Sequence, residues 1–383
     1  MQTFYLDHAA TSPVHPEVIE KMTEAMTNVY GNPSSIHAAG RYARKVLDEA
    51  RSILARSIGA KDTEIIFTSG GTEGDNTAIF GVAQALKSKG KHIITTAVEH
   101  HAVLHSCEQL EKAGFEVTYL PVDETGRISV ESVKEALRED TILVTIMFGN
   151  NEVGTIQPIK EIGELLKNHQ AVFHTDAVQA YGLEKIDVNE LHVDLLSVSS
   201  HKINGPKGIG FLYQREKTPF TATFYGGSQE RKRRAGTENV HAAVGFAKAV
   251  EIAQREMETK RQTYLQFRKI FLEVLEQEQI SYKVNGHEEY FLKHILNISF
   301  PGMDVESFLV NLDMDGVYAS SGSACTAGSI DPSHVLVAMY GKGAPELRNS
   351  IRFSFGLGLT EADIQQAAER TARIVKRMTN SLN

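Results

Sequence analysis

Short apolar segments rich in β-branched residues recur between residues 64 and 213, and segments with helical periodicity separate them. Such short apolar runs are typical of strands buried on both faces. Strands that alternate with helices favour a mostly parallel sheet with helices on both sides. The predicted strands are 64–68, 92–97, 116–121, 141–147, 171–176, 194–200 and 209–213.

The pattern changes near residue 237, where a long helical stretch runs to about residue 280. Beyond it come two further apolar strands, "ILNISFP" and "IRFSF", and a terminal helix, an arrangement typical of a smaller α+β domain. We therefore expect a large domain over 15–260 and a small domain formed by 1–14 together with 261–383.

Polar clusters follow five of the predicted strands at the points where the strands end. They read "TSGGTEGDN", "VEHHA", "GNNEVG", "DAVQA" and "HKINGPKG". Ligands of open parallel sheets bind outside the carboxyl ends of the strands. The clusters therefore predict one pocket at that edge.

The composition narrows the class of protein. The chain has 383 residues and a net charge of −8, which disfavours direct binding to nucleic acid. No apolar run is long enough to span a bilayer, so no membrane association is expected. Two cysteines far apart make a disulfide framework improbable and favour the reducing cytoplasm.

Three strand ends carry residues that could bind a ligand or take part in catalysis. Gly71 and Thr72 follow a glycine turn at a helix start, which forms either an anion site or an ordinary capped helix. Lys202 follows a buried strand and can form a Schiff base if desolvated, or is a surface lysine; Lys207 is its competitor. Asp176 ends a central strand, where it either caps a helix or needs a cation. Together they predict a site for pyridoxal 5′-phosphate.

Cys325 lies in "ASSGSACTAG", among small residues that suit an exposed, mobile loop. A structural cysteine is normally packed among apolar side chains instead. Cys107 has no basic or glycine-rich neighbours, and we expect it to be a packing residue.

The chain resembles the pyridoxal-phosphate cysteine desulfurases of the NifS/IscS type, in the class-V aminotransferase superfamily. The resemblance implies the α/β fold of the fold-type I transferases, with a mostly parallel seven-stranded sheet and a smaller α+β domain. Its motifs extend over nearly the whole chain: "YLDHAATSP", "GNPSSIH", "FTSGGTEGDN", "VEHHAV", "NNEVGTIQPI", "HTDAVQ", "SSHKINGPKGIG", "RRAGTEN", "SSGSACTA" and "IRFSFG".

The resemblance also implies roles for individual residues. Lys202 would hold the cofactor covalently, Asp176 would pair with its ring nitrogen and Gln179 with its ring hydroxyl, and His100 would stack on the ring. Thr237 would reach the cofactor phosphate of a neighbouring subunit, which implies a homodimer. The catalytic residues would be Cys325, Lys202 and His100; the cofactor-binding residues Gly71, Thr72, His100, Asn151, Asp176, Gln179, Ser199, His201, Lys202 and Thr237; and the substrate-binding residues Asn151 and Arg352.

The activity implied by the resemblance is removal of sulfur from L-cysteine, giving L-alanine and a persulfide on Cys325. A protein acceptor, either an iron–sulfur scaffold or a tRNA-thiolation enzyme, would take the persulfide. The alternatives are an aminotransferase or a selenocysteine lyase of the same superfamily, and a sulfur carrier without catalytic activity. No metal is expected.

Overall fold

A seven-stranded sheet forms the centre of the protein, as the computed structural model of the chain shows; the structure describes residues 2–321 and 332–380. The strand order is β2-β8-β7-β6-β5-β3-β4, and only β8 runs antiparallel to its neighbours. All seven predicted strands and the mostly parallel sheet are therefore confirmed. The described strands are β1 Phe4–Tyr5, β2 Ile65–Thr68, β3 His92–Thr96, β4 Glu116–Leu120, β5 Thr141–Thr145, β6 Val172–Asp176, β7 Leu195–Ser199, β8 Gly210–Gln214, β9 Lys283–Asn285, β10 Ile295–Ser299, β11 Val317–Tyr318 and β12 Ser350–Ser354.

Alternate residues of the strands enter two different hydrophobic cores, one on each face of the sheet. Phe173 and Leu196 belong to the larger core, whereas Val172 and Leu195, their neighbours in sequence, belong to the other. Successive side chains of a strand point to opposite faces, so both sets of apolar residues are buried. The described helices are α1 Pro16–Asn28, α2 Ala38–Ser57, α3 Gly71–Leu86, α4 His101–Lys112, α5 Val130–Ala136, α6 Ile159–Leu166, α7 Val240–Gln277, α8 Val305–Met314, α9 His334–Tyr340, α10 Glu346–Asn349 and α11 Glu361–Asn380.

A separate hydrophobic core joins the two ends of the chain. It contains Phe4 and Leu6 from the N-terminal segment, aromatic residues from the second half of α7, and residues of β10, β12 and α11. The 38-residue helix α7 belongs to both cores: its first half packs in the larger core and its second half in this one. The expected domain boundary at residue 260 falls inside α7 and stays a prediction.

The smaller sheets complete the second half. β12, β10 and β9 form an antiparallel three-stranded sheet, and β1 pairs in parallel with β11. Among the described residues, no helix combines the length and the apolar character needed to cross a membrane.

Replacement of Phe271 by alanine should destabilise the core that contains both chain ends. Phe271 is fully buried in α7, and its ring centroid lies 4.6 Å from that of Phe353. Loss of this packing should lower the free energy of unfolding by about 3–5 kcal/mol, measured by denaturant titration. Gln266→Ala, at an exposed position of the same helix, is the control and should change it little.

Candidate active site

A pocket of about 330 Å³ opens at the carboxyl edge of the central sheet. Asp176 and Ser199 reach it from the last residues of β6 and β7, and Gly71 and Thr72 from the start of α3. The structure thus brings ten of the predicted residues together. They are Gly71, Thr72, His100, Asn151, Asp176, Gln179, Ser199, His201, Lys202 and Arg352.

Two predicted residues are not part of this pocket as described. Thr237 is exposed in the segment before α7 and does not line the pocket of its own chain. Cys325 lies outside the described residues. The predicted roles of both residues therefore stay predictions.

The first turn of α3 lies at the pocket, and no side chain caps its backbone N–H groups. The N-cap residue is Gly70, whose φ of 153° is one that residues with a Cβ rarely adopt. A Cβ on Gly71 would lie 2.7 Å from Val178 Cγ2, so only glycine fits beside that side chain. Uncapped N–H groups and the positive end of the helix dipole attract an anion such as a phosphate.

Asp176 lies buried at the base of the pocket, where Oδ1 accepts a hydrogen bond from the Val178 N–H at 2.9 Å. Burial raises its pKa, and the nearby Lys202 charge acts in the opposite direction. Behind it lies the fully buried Asp75, whose pKa is raised by burial and by Asp176. Asp75 Oδ1 lies 3.6 Å from Nε2 of the buried His174. A cationic ligand in the pocket would stabilise the ionised form of Asp176.

Lys202 extends from a single turn of 3₁₀ helix, Ser200–Lys202, into the same pocket. Its Nζ donates hydrogen bonds to the carbonyl oxygens of Ala9 at 2.5 Å and Ala10 at 2.7 Å. The N-terminal segment therefore positions the amine. Lys207, the competing lysine, is exposed.

His100 is the N-cap of α4, and its Nδ1 accepts a hydrogen bond from the Ala102 N–H at 3.1 Å. Because Nδ1 is the acceptor, the neutral ring carries its proton on Nε2. Although His100 is exposed at the pocket, partial desolvation of its ring, followed by the charge of Lys202, lowers its pKa to about 4. The ring is therefore neutral near pH 7.

Ser199 is buried beside the start of α3, and Nδ1 of the nearby His201 lies 3.1 Å from the Thr11 hydroxyl. Burial lowers the pKa of His201 to about 4. A neutral His201 can donate a hydrogen bond to a phosphate oxygen without adding charge to the site.

Arg352 forms the opposite wall, 4 % exposed. It donates from Nη1 to the Asn151 carbonyl at 2.8 Å and from Nη2 to Asp7 Oδ1 at 2.9 Å. Its buried Nε has no hydrogen-bond partner among the described residues. The guanidinium lines the pocket and already pairs with the Asp7 carboxylate, so it can bind the carboxylate of a ligand in the same way.

These residues fit pyridoxal 5′-phosphate. The uncapped start of α3 suits its phosphate, the buried Asp176 carboxylate suits its ring nitrogen, and the Lys202 amine suits its aldehyde. The cofactor does not require Arg352, which can therefore bind a second, smaller anion. One pocket therefore has room for the cofactor and for an amino-acid carboxylate.

Several residues of the site escape prediction from sequence reasoning alone. Asp7, Ala9 and Ala10 contact the predicted residues from the N-terminal segment, and Asp75 lies behind Asp176. The segment "YLDHAATSP" was a signal, because it belongs to the family motifs, but its contacts join positions more than 190 residues apart. Cys107, by contrast, is fully buried, and burial raises its pKa to about 12, in agreement with a packing role.

Comparison with known proteins identifies the family. The family model "Aminotransferase class-V" matches residues 4–367. A protein of Bacillus subtilis (strain 168) that is described as a candidate cysteine desulfurase, IscS 1, is 58% identical over 99% of this chain and 100% of its own length. The cysteine desulfurase IscS of Methanosarcina thermophila is 49% identical over 98% of this chain and 93% of its own.

Solved structures agree with this result. A NifS-like protein superposes with a TM-score of 0.92 at 34% identity, covering 98% of this chain and 100% of the other. A structure described as SspA in complex with cysteine has a TM-score of 0.81 at 37% identity, covering 92% of this chain and 99% of the other.

The chain therefore belongs to the class-V aminotransferase family and, within it, to the cysteine desulfurases of the NifS/IscS type. It is accordingly an enzyme that depends on pyridoxal 5′-phosphate, and the predicted fold class, family and cofactor are confirmed.

Substitution of Glu99, the residue before His100, should change how stability depends on pH. Burial raises the pKa of Glu99 to about 8, although the Met147 N–H and the Thr96 hydroxyl donate hydrogen bonds to it. The folded state thus binds this proton more tightly than the unfolded state. The stability of the fold that depends on this bound proton is fully present below the ordinary carboxyl pKa. It is lost as the pH rises toward 8, by at most about 1.4 kcal/mol per pH unit.

Glu99→Gln has no ionisable group at this position and therefore lacks this loss of stability. The free energy of unfolding of the variant, relative to that of wild type, should increase between about pH 5 and pH 8. Urea titrations at several pH values measure the difference. Glu108→Gln, at an exposed position of α4, is the control. A difference between wild type and Glu99→Gln that does not change with pH would contradict the assignment.

Proposed function

We propose that the pocket at the carboxyl edge of the sheet is where this cysteine desulfurase binds L-cysteine and removes its sulfur, giving L-alanine. The observation that supports it most is the convergence of Lys202, Asp176 and the start of α3, opposite Arg352. The first three groups suit the cofactor and the fourth suits the carboxylate of an amino acid. The similar solved structure described as a complex with cysteine supports the choice of substrate.

Each side chain has a role that follows from its position. The cofactor supplies, when bound, an electron sink for charge that develops at the substrate α-carbon. Gly71, Thr72, Ser199 and His201 would hold its phosphate, and Asp176 its ring nitrogen. Gln179 and His100 would complete the cofactor site.

The substrate carboxylate would bind Arg352 beside Asn151. Arg352 Nη2 already holds the Asp7 carboxylate at 2.9 Å, and Nη1 holds the Asn151 carbonyl. An incoming carboxylate would accept from the guanidinium in competition with Asp7. Arg352 therefore orients the substrate by its fixed fork of donors, which lysine cannot reproduce.

Proton transfer at the substrate α-carbon would fall to Lys202. The Lys202 amine, once released, can take the proton from the substrate α-carbon, because it projects into the pocket from the turn after β7. His100 is neutral near pH 7, and its Nδ1 accepts from the Ala102 N–H, so it would hold the reacting group by a hydrogen bond from Nε2–H and keep its proton.

The sulfur would leave on Cys325. Its thiolate attacks the sulfur of the substrate, the carbon–sulfur bond breaks, and the carbon takes up a proton to give alanine. The product on the enzyme is a persulfide, which a protein acceptor would then take. An iron–sulfur scaffold and a tRNA-thiolation enzyme are the two acceptor classes proposed. A thiol that must stay reduced also favours a cytoplasmic location.

Replacement of Cys325 by serine should abolish sulfide release from L-cysteine, because a hydroxyl cannot form a persulfide. Alanine and sulfide are measured together, with pyridoxal phosphate and a thiol reductant present. Equal yields are expected from wild type, and background yields from Cys325→Ser. Cys107→Ala removes the other cysteine, which is buried and away from the pocket, and should remain active.

Amino-group transfer to an added keto acid, with no sulfide, would instead assign the protein to the aminotransferases of the same family. Alanine and sulfide release that survives in Cys325→Ser would contradict the role of Cys325 while leaving desulfuration in place.

A homodimer would complete the cofactor site through Thr237. Tyr30 and Ile36 are 82 % and 90 % exposed, which is unusual for large apolar side chains. They lie in the connection between α1 and α2, and Arg44 of α2 holds Glu238, next to Thr237, at 2.9 Å. An apolar surface beside the segment that would reach the partner's cofactor supports an interface there.

Introduction of a charge at this surface should dissociate the dimer. Light scattering should give wild type twice the 42.3 kDa mass of the chain and Ile36→Asp a mass near that of one chain. The variant should also retain less cofactor after dialysis. Met314→Asp, at an exposed apolar residue of α8 in the other half of the molecule, is the control. A monomeric wild type would contradict the proposal.

A further inference from the structure

Two buried histidines lie behind the cofactor lysine, and the mechanism above uses neither of them. His8 and His294 are 5 % and 6 % exposed and line a cavity of about 30 Å³ on the far side of Lys202. The ring of His8 occupies space that is open only because residue 356 is a glycine: a Cβ on Gly356 would lie 2.1 Å from His8 Nδ1. Burial lowers the pKa of His8 to about 4 and that of His294 to about 3, so both rings are neutral.

The contacts of Gln179 fix the direction in which its amide group points. One end of the amide lies 2.9 Å from the carbonyl oxygen of Ala9, which can only accept a hydrogen bond. That end must therefore be the NH₂ group, and the amide oxygen must face the other way. The oxygen lies 3.2 Å from His294 Nε2, so His294 must donate to it.

This reasoning also fixes the tautomer of His294. With the proton on Nε2, Nδ1 carries a lone pair, and it has no hydrogen-bond partner among the described residues. Both nitrogens of His8 lack a partner of hydrogen-bonding geometry there as well, although the Tyr5 carbonyl influences its pKa. The cavity between the two rings is large enough for one ordered water, which can satisfy both.

We propose that His294 is a positioning residue for Gln179: its Nε2–H fixes the amide so that the second N–H of Gln179 is presented to the ring oxygen of the cofactor. The inference rests on the proposed function, in which Gln179 contacts that oxygen. If Gln179 turned over, its carbonyl oxygen would face the anionic ring oxygen and would also clash electrostatically with the Ala9 carbonyl. Each hydrogen bond in the series from His294 through Gln179 to the cofactor then has one defined donor and one defined acceptor.

The consequence is spectroscopic. An N–H donor stabilises negative charge on the ring oxygen, most of all after the neighbouring lysine-linked nitrogen has lost its proton. Loss of the donor should therefore raise the pH at which the absorption band of the bound cofactor changes. The shift should be about one pH unit, the value of one hydrogen bond to a charged group. The charged or titratable groups that face His294 are His8, Lys202 and Arg352, with Lys260 and Tyr264 on the cavity wall.

The experiment is a pH titration of the cofactor absorbance of the purified holoenzyme, without substrate. His294→Phe keeps the ring volume without the donor and should shift the midpoint upward. His294→Asn and His294→Gln are a matched polar pair: the asparagine amide is too short to reach Gln179 Oε1 and should shift the midpoint, whereas the glutamine amide reaches it and should restore the wild-type value. This pair carries the test even if the phenylalanine variant does not fold.

Two controls separate the proposal from a general effect of the cavity. His8→Phe changes the same cavity without touching Gln179 and should leave the midpoint near that of wild type. Gln179→Ala should shift it as His294→Phe does, and the double variant should shift it no further.

Equal midpoints in wild type and His294→Asn, or an equally large shift in His8→Phe, would overturn the inference. Its failure is distinguishable from that of the proposed function. A holoenzyme that shows the expected shifts but releases no sulfide from L-cysteine would contradict only the latter.

Discussion

The carbonyl oxygen of Ala9 accepts hydrogen bonds from two side chains of the site at once, Lys202 Nζ at 2.5 Å and Gln179 Nε2 at 2.9 Å. Both side chains come from the central sheet, whereas Ala9 follows the short strand that belongs to the other core. The pocket therefore exists only where the two halves of the molecule meet. Asp7 extends the same contact to Arg352, so a segment of four residues, 7–10, holds Lys202, Gln179 and Arg352 in one arrangement.

Burial of acids at the carboxyl edge of the sheet has a cost in stability that a bound cation would offset. Asp75, Asp176 and Glu99 all have raised pKa values because they are desolvated. Packed apolar residues at these positions would be more stable in the empty protein. The cationic ring of the cofactor would change that balance if it pairs with Asp176 as proposed, and binding should then stabilise the fold.

Sequence reasoning reached most of the fold because the strands are short apolar runs bounded by polar clusters. β6 was predicted as 171–176 and runs from Val172 to Asp176, and the polar residue that ends it lies in the pocket. Local signals of this kind also located Lys202 and Gly71. The domain boundary was harder to place, because α7 continues without a break through residue 260.

The rest of the site depends on contacts between distant parts of the chain, which no local pattern encodes. Asp75 lies within a helix and looks like an ordinary surface acid until the fold places it behind Asp176. His294 and Gln179 are 115 residues apart, and nothing near either one indicates the other. Thr237 would need a second chain to act. Gln179 and Thr237 were predicted only through the resemblance to a family, whereas Asp75 and His294, whose positions depend on tertiary geometry, were not predicted as site residues.

The pairing of β1 with β11 has a consequence for synthesis on the ribosome. Phe4 lies opposite Val317, so the strand that emerges first, β1, cannot pair with β11 until residue 317 has been made. The central sheet is complete by Gln214 and can form earlier. The N-terminal segment that carries Asp7 and Ala9 can take its place only afterwards. A nascent chain that has not reached β11 and β12 can therefore contain every strand of the central sheet but no finished pocket, because the N-terminal segment is not yet paired and Arg352 is not yet made.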